Sequence, residues 1–133
     1  MDTGPLVAYL DEADSAHEWA VQMFERVEPP FLVCDAVLTE ACHLLAACPG
    51  AHEKIGDYLR RGMLVCTFPL AENHERVFAL MARYRNVPMA LADACLVCMA
   101  EDHRGSRVFT LDSDFAIYRL PGRKALPLLA PGR

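Results

Sequence analysis

No apolar run in this 133-residue sequence reaches the roughly 18 residues that a membrane-spanning helix needs. The opening Met1-Asp2-Thr3-Gly4-Pro5 has neither the basic nor the apolar region of a signal peptide. The expectation is a cytoplasmic protein with no membrane partner. There is no glycine-rich phosphate loop, no Ser-His-Asp arrangement, no repeat and no low-complexity stretch. No linker divides the chain, which reads as one domain over residues 1–133. Aromatic residues make up only 8%, so groups that could stack on a nucleic-acid base are few. Trp19, Phe24 and Phe78 are expected in the core. Tyr118 and Phe115, close to Asp112, are the better stacking candidates, with Phe115 expected in the core ahead of that role.

Hydrophobic residues are plentiful at 53%, enough for a sizeable core and too many for a disordered chain. Six cysteines without an export signal are expected to stay reduced, with Cys34, Cys66, Cys95 and Cys98 packed as small apolar groups. The net charge of −5 is unevenly spread. Residues 1–66 carry 4 basic and 11 acidic side chains, a balance of −7; residues 67–133 carry 9 and 7, a balance of +2. Arg104, Arg107, Arg119, Arg123, Lys124 and Arg133 all fall in the last third.

Apolar spacing and turn residues give the element order. Helical segments are expected over Pro5 to Leu10, from Asp14 or Ser15 to about Val27, from a cap at Asp35 to about Ala47, and over residues 51–61. Two more are expected over Glu72 to Arg85 and Ala90 to His103, with a short turn from Asp114 to Tyr118. Phe31 to Cys34, Met63 to Phe68 and Arg107 to Leu111 read as buried strands, with a last short strand near Ala125 to Leu129. Strands alternating with helices imply an α/β domain with a mainly parallel sheet. Ligands of such sheets gather outside the carboxyl ends of the strands.

That rule picks out particular acids. Asp112 follows the strand Val108-Phe109-Thr110-Leu111, and Asp114 lies two residues on. Glu40 sits one to two turns into a helix that starts near the same edge. Asp93 sits in the first turn of a helix that is otherwise almost wholly apolar, where a carboxylate must be paired, capped or bound to a metal. Converging carboxylates repel one another by about 4 kcal/mol per pair at 4 Å and an effective dielectric near 20. Hard divalent cations with oxygen ligands, Mg²⁺ or Mn²⁺, remove that cost.

Other chemistries fit poorly. Cys42, His43, Cys48 and His52 have no standard zinc spacing. The pair Cys95-Leu96-Val97-Cys98 is set in mid-helix rather than at a helix start. A phospho-receiver domain would need paired acids after its first strand and a late lysine after another; the late Lys124 follows a turn.

Four motifs in order resemble the PIN domains: Asp2-Thr3-Gly4-Pro5-Leu6, Thr39-Glu40, Leu91-Ala92-Asp93-Ala94 and Thr110-Leu111-Asp112-Ser113-Asp114-Phe115. The acids are separated by 38, 53 and 19 positions, and the match spans nearly the whole chain. The resemblance implies a three-layer α/β/α fold with a mainly parallel sheet of four or five strands, the first strand truncated. It implies a ribonuclease dependent on Mg²⁺ or Mn²⁺, with Asp2, Glu40, Asp93 and Asp112 as metal ligands or activators of water. Asp114 would be an auxiliary ligand, and Thr110 would orient a carboxylate by hydrogen bonding. Among PIN domains the chain most resembles VapC-like toxins, which implies an RNA substrate, a homodimer and an inhibiting antitoxin. A non-catalytic PIN-like module that binds RNA or a protein is the competing expectation. Family members carry an apolar first strand before the first acid. Here Met1 alone stands before Asp2, so a natural start further upstream is expected.

Overall fold

The computed structural model describes residues 1–132; Arg133, counted above among the basic side chains, lies outside them. Helix α1 (Thr3–Leu10) opens the chain, capped by the Asp2 carboxylate, which accepts from the Thr3 N–H. Helix α2 (His17–Arg26) follows a turn in which Asp14, rather than Ser15, accepts from the Ala16 N–H. Strand β1 (Phe31–Val33) leads into helix α3 (Asp35–Leu44). The residue before α3 that adopts the cap geometry is Cys34. Asp35, expected as the cap, instead accepts from the thiol of Cys66 at 3.0 Å. Cys66 is therefore exposed and polar in its contacts, whereas Cys34, Cys95 and Cys98 are buried as expected.

Helix α4 (Ala51–Arg60) ends near Gly62, whose φ of +74° suits glycine. Strand β2 (Leu64–Cys66) and helix α5 (Leu70–Arg83) come next. Helix α6 (Leu91–Asp102) is buried from Ala92 through Met99, so its sequence is apolar all round rather than striped. It packs on α5 and α3, and α1 packs on α2 and α3. Strand β3 (Val108–Phe109) precedes a 3₁₀ turn at Ser113–Ala116. The chain closes with β4 (Arg119–Leu120), β5 (Lys124–Ala125) and β6 (Leu128–Leu129).

Pairing is mainly parallel, but the strands fall into pairs. β1 lies parallel to β2, β3 lies parallel to β6, and β4 and β5 form an antiparallel pair that the sequence pattern did not signal. Met1 and Asp2 bridge the two parallel pairs. The Met1 nitrogen donates to Leu32 O at 2.6 Å, and the Asp2 N–H donates to Phe109 O at 2.8 Å. Met1 and Asp2 thus form an extended link held from both sides. The Met1 amine is buried and its pKa is lowered to about 6, chiefly by that burial. An apolar cavity of about 260 Å³ lies at the amino ends of β1 and β3, lined by Leu32, Leu96, Met99, Val108 and Phe109 among others. The acids stand toward the opposite, carboxyl ends.

The core expectations hold with one exception. Trp19 and Phe24 pack partly buried against the core, but Phe78 is 54% exposed on α5. Among the described residues, no helix is long and apolar enough to cross a membrane.

Candidate active site

Asp2 enters the site at the start of α1. It is 7% exposed, and its two oxygens have different partners. Oδ1 accepts from the Thr3 N–H at 2.8 Å, and Oδ2 accepts from the Thr110 hydroxyl at 2.8 Å. Burial raises its pKa, these two hydrogen bonds oppose the rise, and the Asp112 charge adds to it. Gly4 lets the first turn of α1 lie against the end of β3, since a Cβ there would stand 3.3 Å from the Leu111 side chain.

Asp93 occupies the first turn of α6 and is 9% exposed. Its Oδ2 accepts from the Ala90 N–H at 3.2 Å and from the Tyr118 hydroxyl at 3.0 Å. Burial is the largest influence on its pKa, which is raised to about 6; the two hydrogen bonds pull the other way, and repulsion from Asp2 and Asp112 adds to the rise. The three carboxylates therefore feel one another, as expected for groups gathered at one edge of a sheet.

Asp112 is exposed and caps the 3₁₀ turn: its Oδ1 accepts from the Asp114 N–H at 2.8 Å, while its own N–H donates to the Thr110 hydroxyl oxygen at 2.9 Å. Thr110 thus serves two acids at once, donating to Asp2 and accepting from Asp112. Asp114 is half-buried on the same turn, and its charge reaches the Tyr118 hydroxyl.

Glu40 stands apart. It is exposed on α3, and no ion pair among the described residues involves it. The structure brings Asp2, Asp93 and Asp112 together through Thr110 and Tyr118, but does not join Glu40 to them.

Tyr118 has a different place from the one expected. It is fully buried, so it cannot stack on a base. Its ring packs edge-on against Phe115 at 5.3 Å and Tyr84 at 5.1 Å between centroids. Arg119, read as one of the basic residues of the last third, turns its guanidinium to the carbonyls of Ala116, Ile117 and Tyr118. No local pattern in the sequence marked either role.

The donor set suits a hard cation. Asp93 Oδ1 and Asp112 Oδ2 accept no hydrogen bond among the described residues, which leaves an oxygen on each acid free to ligate. No three His, Cys, Asp or Glu side chains among the described residues stand close enough to share one ion.

No curated protein sequence matches the chain. The family model of the PIN domain matches residues 1–120, which include Asp2, Glu40, Asp93, Asp112 and Asp114. PIN domains are nuclease-type domains. The chain belongs to the PIN domain family.

Proposed function

We propose that this chain is a metal-dependent ribonuclease that hydrolyses RNA phosphodiesters, and that it is the toxin of a toxin–antitoxin pair. The observation that carries the reading is the meeting of Asp2, Asp93 and Asp112. Two of the three are buried, burial and the charge of neighbouring acids raise the pKa of both, the Met1 ammonium offsets part of the rise at Asp2, and among the described residues no basic side chain is paired with either. A site of that kind costs stability in the free protein and favours a divalent cation.

Asp93 and Asp112, each with an oxygen that accepts no hydrogen bond among the described residues, would hold Mg²⁺ or Mn²⁺, with Asp2 and Asp114 reaching it through bound water. When bound, the cation supplies Lewis-acid stabilisation of charge on the phosphodiester and activation of the attacking water. The chain's own residues fix the geometry. Thr110 holds one oxygen of Asp2 and the backbone of Asp112. Glu40, exposed and free of ion pairs, would orient water or substrate rather than build the folded site.

The partners follow from the same surfaces. An antitoxin would inhibit by setting Arg or Lys against the acids, the natural counter-charge for such a pocket. Leu44, Phe78 and Ile117, each more than half exposed, supply apolar contact area for the antitoxin or for a second copy in a homodimer.

The decisive test offers purified protein labelled single-stranded RNA and the matching DNA, each with EDTA, Mg²⁺ or Mn²⁺. Cation-dependent cleavage of the RNA supports the reading. Binding of RNA without cleavage under every condition would favour a non-catalytic module instead.

A further inference from the structure

One segment, Thr110 to Tyr118, touches all three acids. Thr110 donates to Asp2, Asp112 lies within the segment, and Tyr118 donates to Asp93. The first two links belong to the acid motifs themselves. The third does not, since Tyr118 lies outside them and 25 positions from Asp93.

The Tyr118 hydroxyl is held firmly. Its ring is wedged between Phe115 and Tyr84, and the Tyr84 hydroxyl accepts from the Arg119 N–H at 3.0 Å, fixing the backbone directly after Tyr118. The guanidinium of Arg119 ties down the carbonyls of residues 116 to 118. A phenol this constrained has one direction in which to donate, and it donates to Oδ2 of Asp93. The same oxygen accepts from the Ala90 N–H. Two donors on Oδ2 fix the rotation of the carboxylate and leave Oδ1 as the oxygen that faces away from them.

We infer that Tyr118 is a positioning residue: its hydroxyl clamps one oxygen of Asp93 so that the other is presented to the cation. This rests on the nuclease reading for its purpose, but the clamp itself is a property of the folded chain. Outer-shell partners of this kind typically change metal affinity by about 10–100-fold when removed. The ring is needed for packing and the hydroxyl for aim, so Tyr118→Phe separates the two.

The experiment has two arms. In the metal-free protein, the shift of the Asp93 carboxyl carbon and the hydrogen exchange of the Ala90 N–H, which bonds the same oxygen, are compared between wild type and Tyr118→Phe by NMR. The variant should shift the carboxyl resonance and exchange its Ala90 N–H faster, because the carboxylate is freed to turn about Cβ–Cγ. In the second arm, Mn²⁺ binding is measured by calorimetry for wild type, Tyr118→Phe, Asp93→Asn and the double variant. Tyr118→Phe should weaken Mn²⁺ by about tenfold, at the low end of that outer-shell range. It should lower kcat while leaving KM for RNA within about twofold, because the substrate contacts are untouched. In the Asp93→Asn background the same change should have no further effect on Mn²⁺. An unchanged Asp93 carboxyl shift and unchanged Ala90 N–H exchange in Tyr118→Phe would overturn the inference, as would an equal loss of Mn²⁺ affinity in both backgrounds. Wild-type protein that binds no Mn²⁺ would instead sink the nuclease reading, and the NMR arm would still decide the clamp.

Discussion

Thr110 and Asp2, 108 positions apart, are joined by a buried hydrogen bond of 2.8 Å from the threonine hydroxyl to Asp2 Oδ2. The same hydroxyl oxygen accepts from the N–H of Asp112. One small side chain therefore couples the first acid in the sequence to the last, and its removal should be felt by both. Thr110→Val keeps the shape and loses the hydroxyl. Leaving Asp2 with an unmet buried acceptor should cost about 1–3 kcal/mol in urea unfolding. Thr110→Ser should recover most of it. Equal stability of Val and Ser variants would show that the bond contributes nothing.

Asp93→Asn should abolish cation-dependent cleavage, because Asn keeps the shape but not the charge. It should also raise the Tm of the metal-free protein. Burial holds this carboxyl up at about 6, and the charges of Asp2 and Asp112 act against its ionisation. Removing the charge relieves both. A metal-free Tm that falls in the variant would contradict this account of the site.

The pH dependence follows from the same shift. An unfolded Asp releases its proton near pH ~4, the folded Asp93 at about 6. Between these values the folded state binds more protons than the unfolded state, so stability falls as pH rises through that window. Burial raises the pKa of Asp2 as well, which adds to the same slope. Metal-free protein should therefore lose Tm between pH 4 and 6 from this contribution, as marked by ~4 for the free side chain and about 6 for Asp93. The slope should flatten in Asp93→Asn. A steeper slope in the variant would be the contrary result.

The sequence carried the element order and the local settings of Asp93 and Asp112, because those signals are local; Asp2 entered only through the resemblance. Asp93 stands out as a charge inside an apolar helix, and α6 is indeed buried around it. Asp112 stands out at a strand end, and it caps the turn there. What stayed hidden depends on contacts distant in the chain. Tyr118 reaches Asp93 through the tertiary fold, and an aromatic near the acids reads equally well as a stacking group. Arg119 looks like any surface cation until its carbonyl partners are known. The β4–β5 pair was missed because strands of two residues have no period to detect. Phe78 was expected in the core as a large apolar ring, but α5 turns that position outward.

Glu40 provides a contrast with Asp93. It is exposed and bears no ion pair among the described residues, so Glu40→Gln should leave the unfolding free energy within about 0.5 kcal/mol of wild type, as surface substitutions usually do. If its role is to orient water or substrate, kcat should still fall. Unchanged kcat in a clean preparation would remove Glu40 from the site and leave it to Asp2, Asp93 and Asp112.

The most direct measurement is Mn²⁺-dependent cleavage of a defined single-stranded RNA under single-turnover conditions, with wild type and Asp93→Asn purified side by side. The account predicts cleavage by wild type that EDTA stops and Mn²⁺ restores, and none above background by the variant. Equal cleavage by the two proteins, or cleavage by wild type that persists in EDTA, would contradict it.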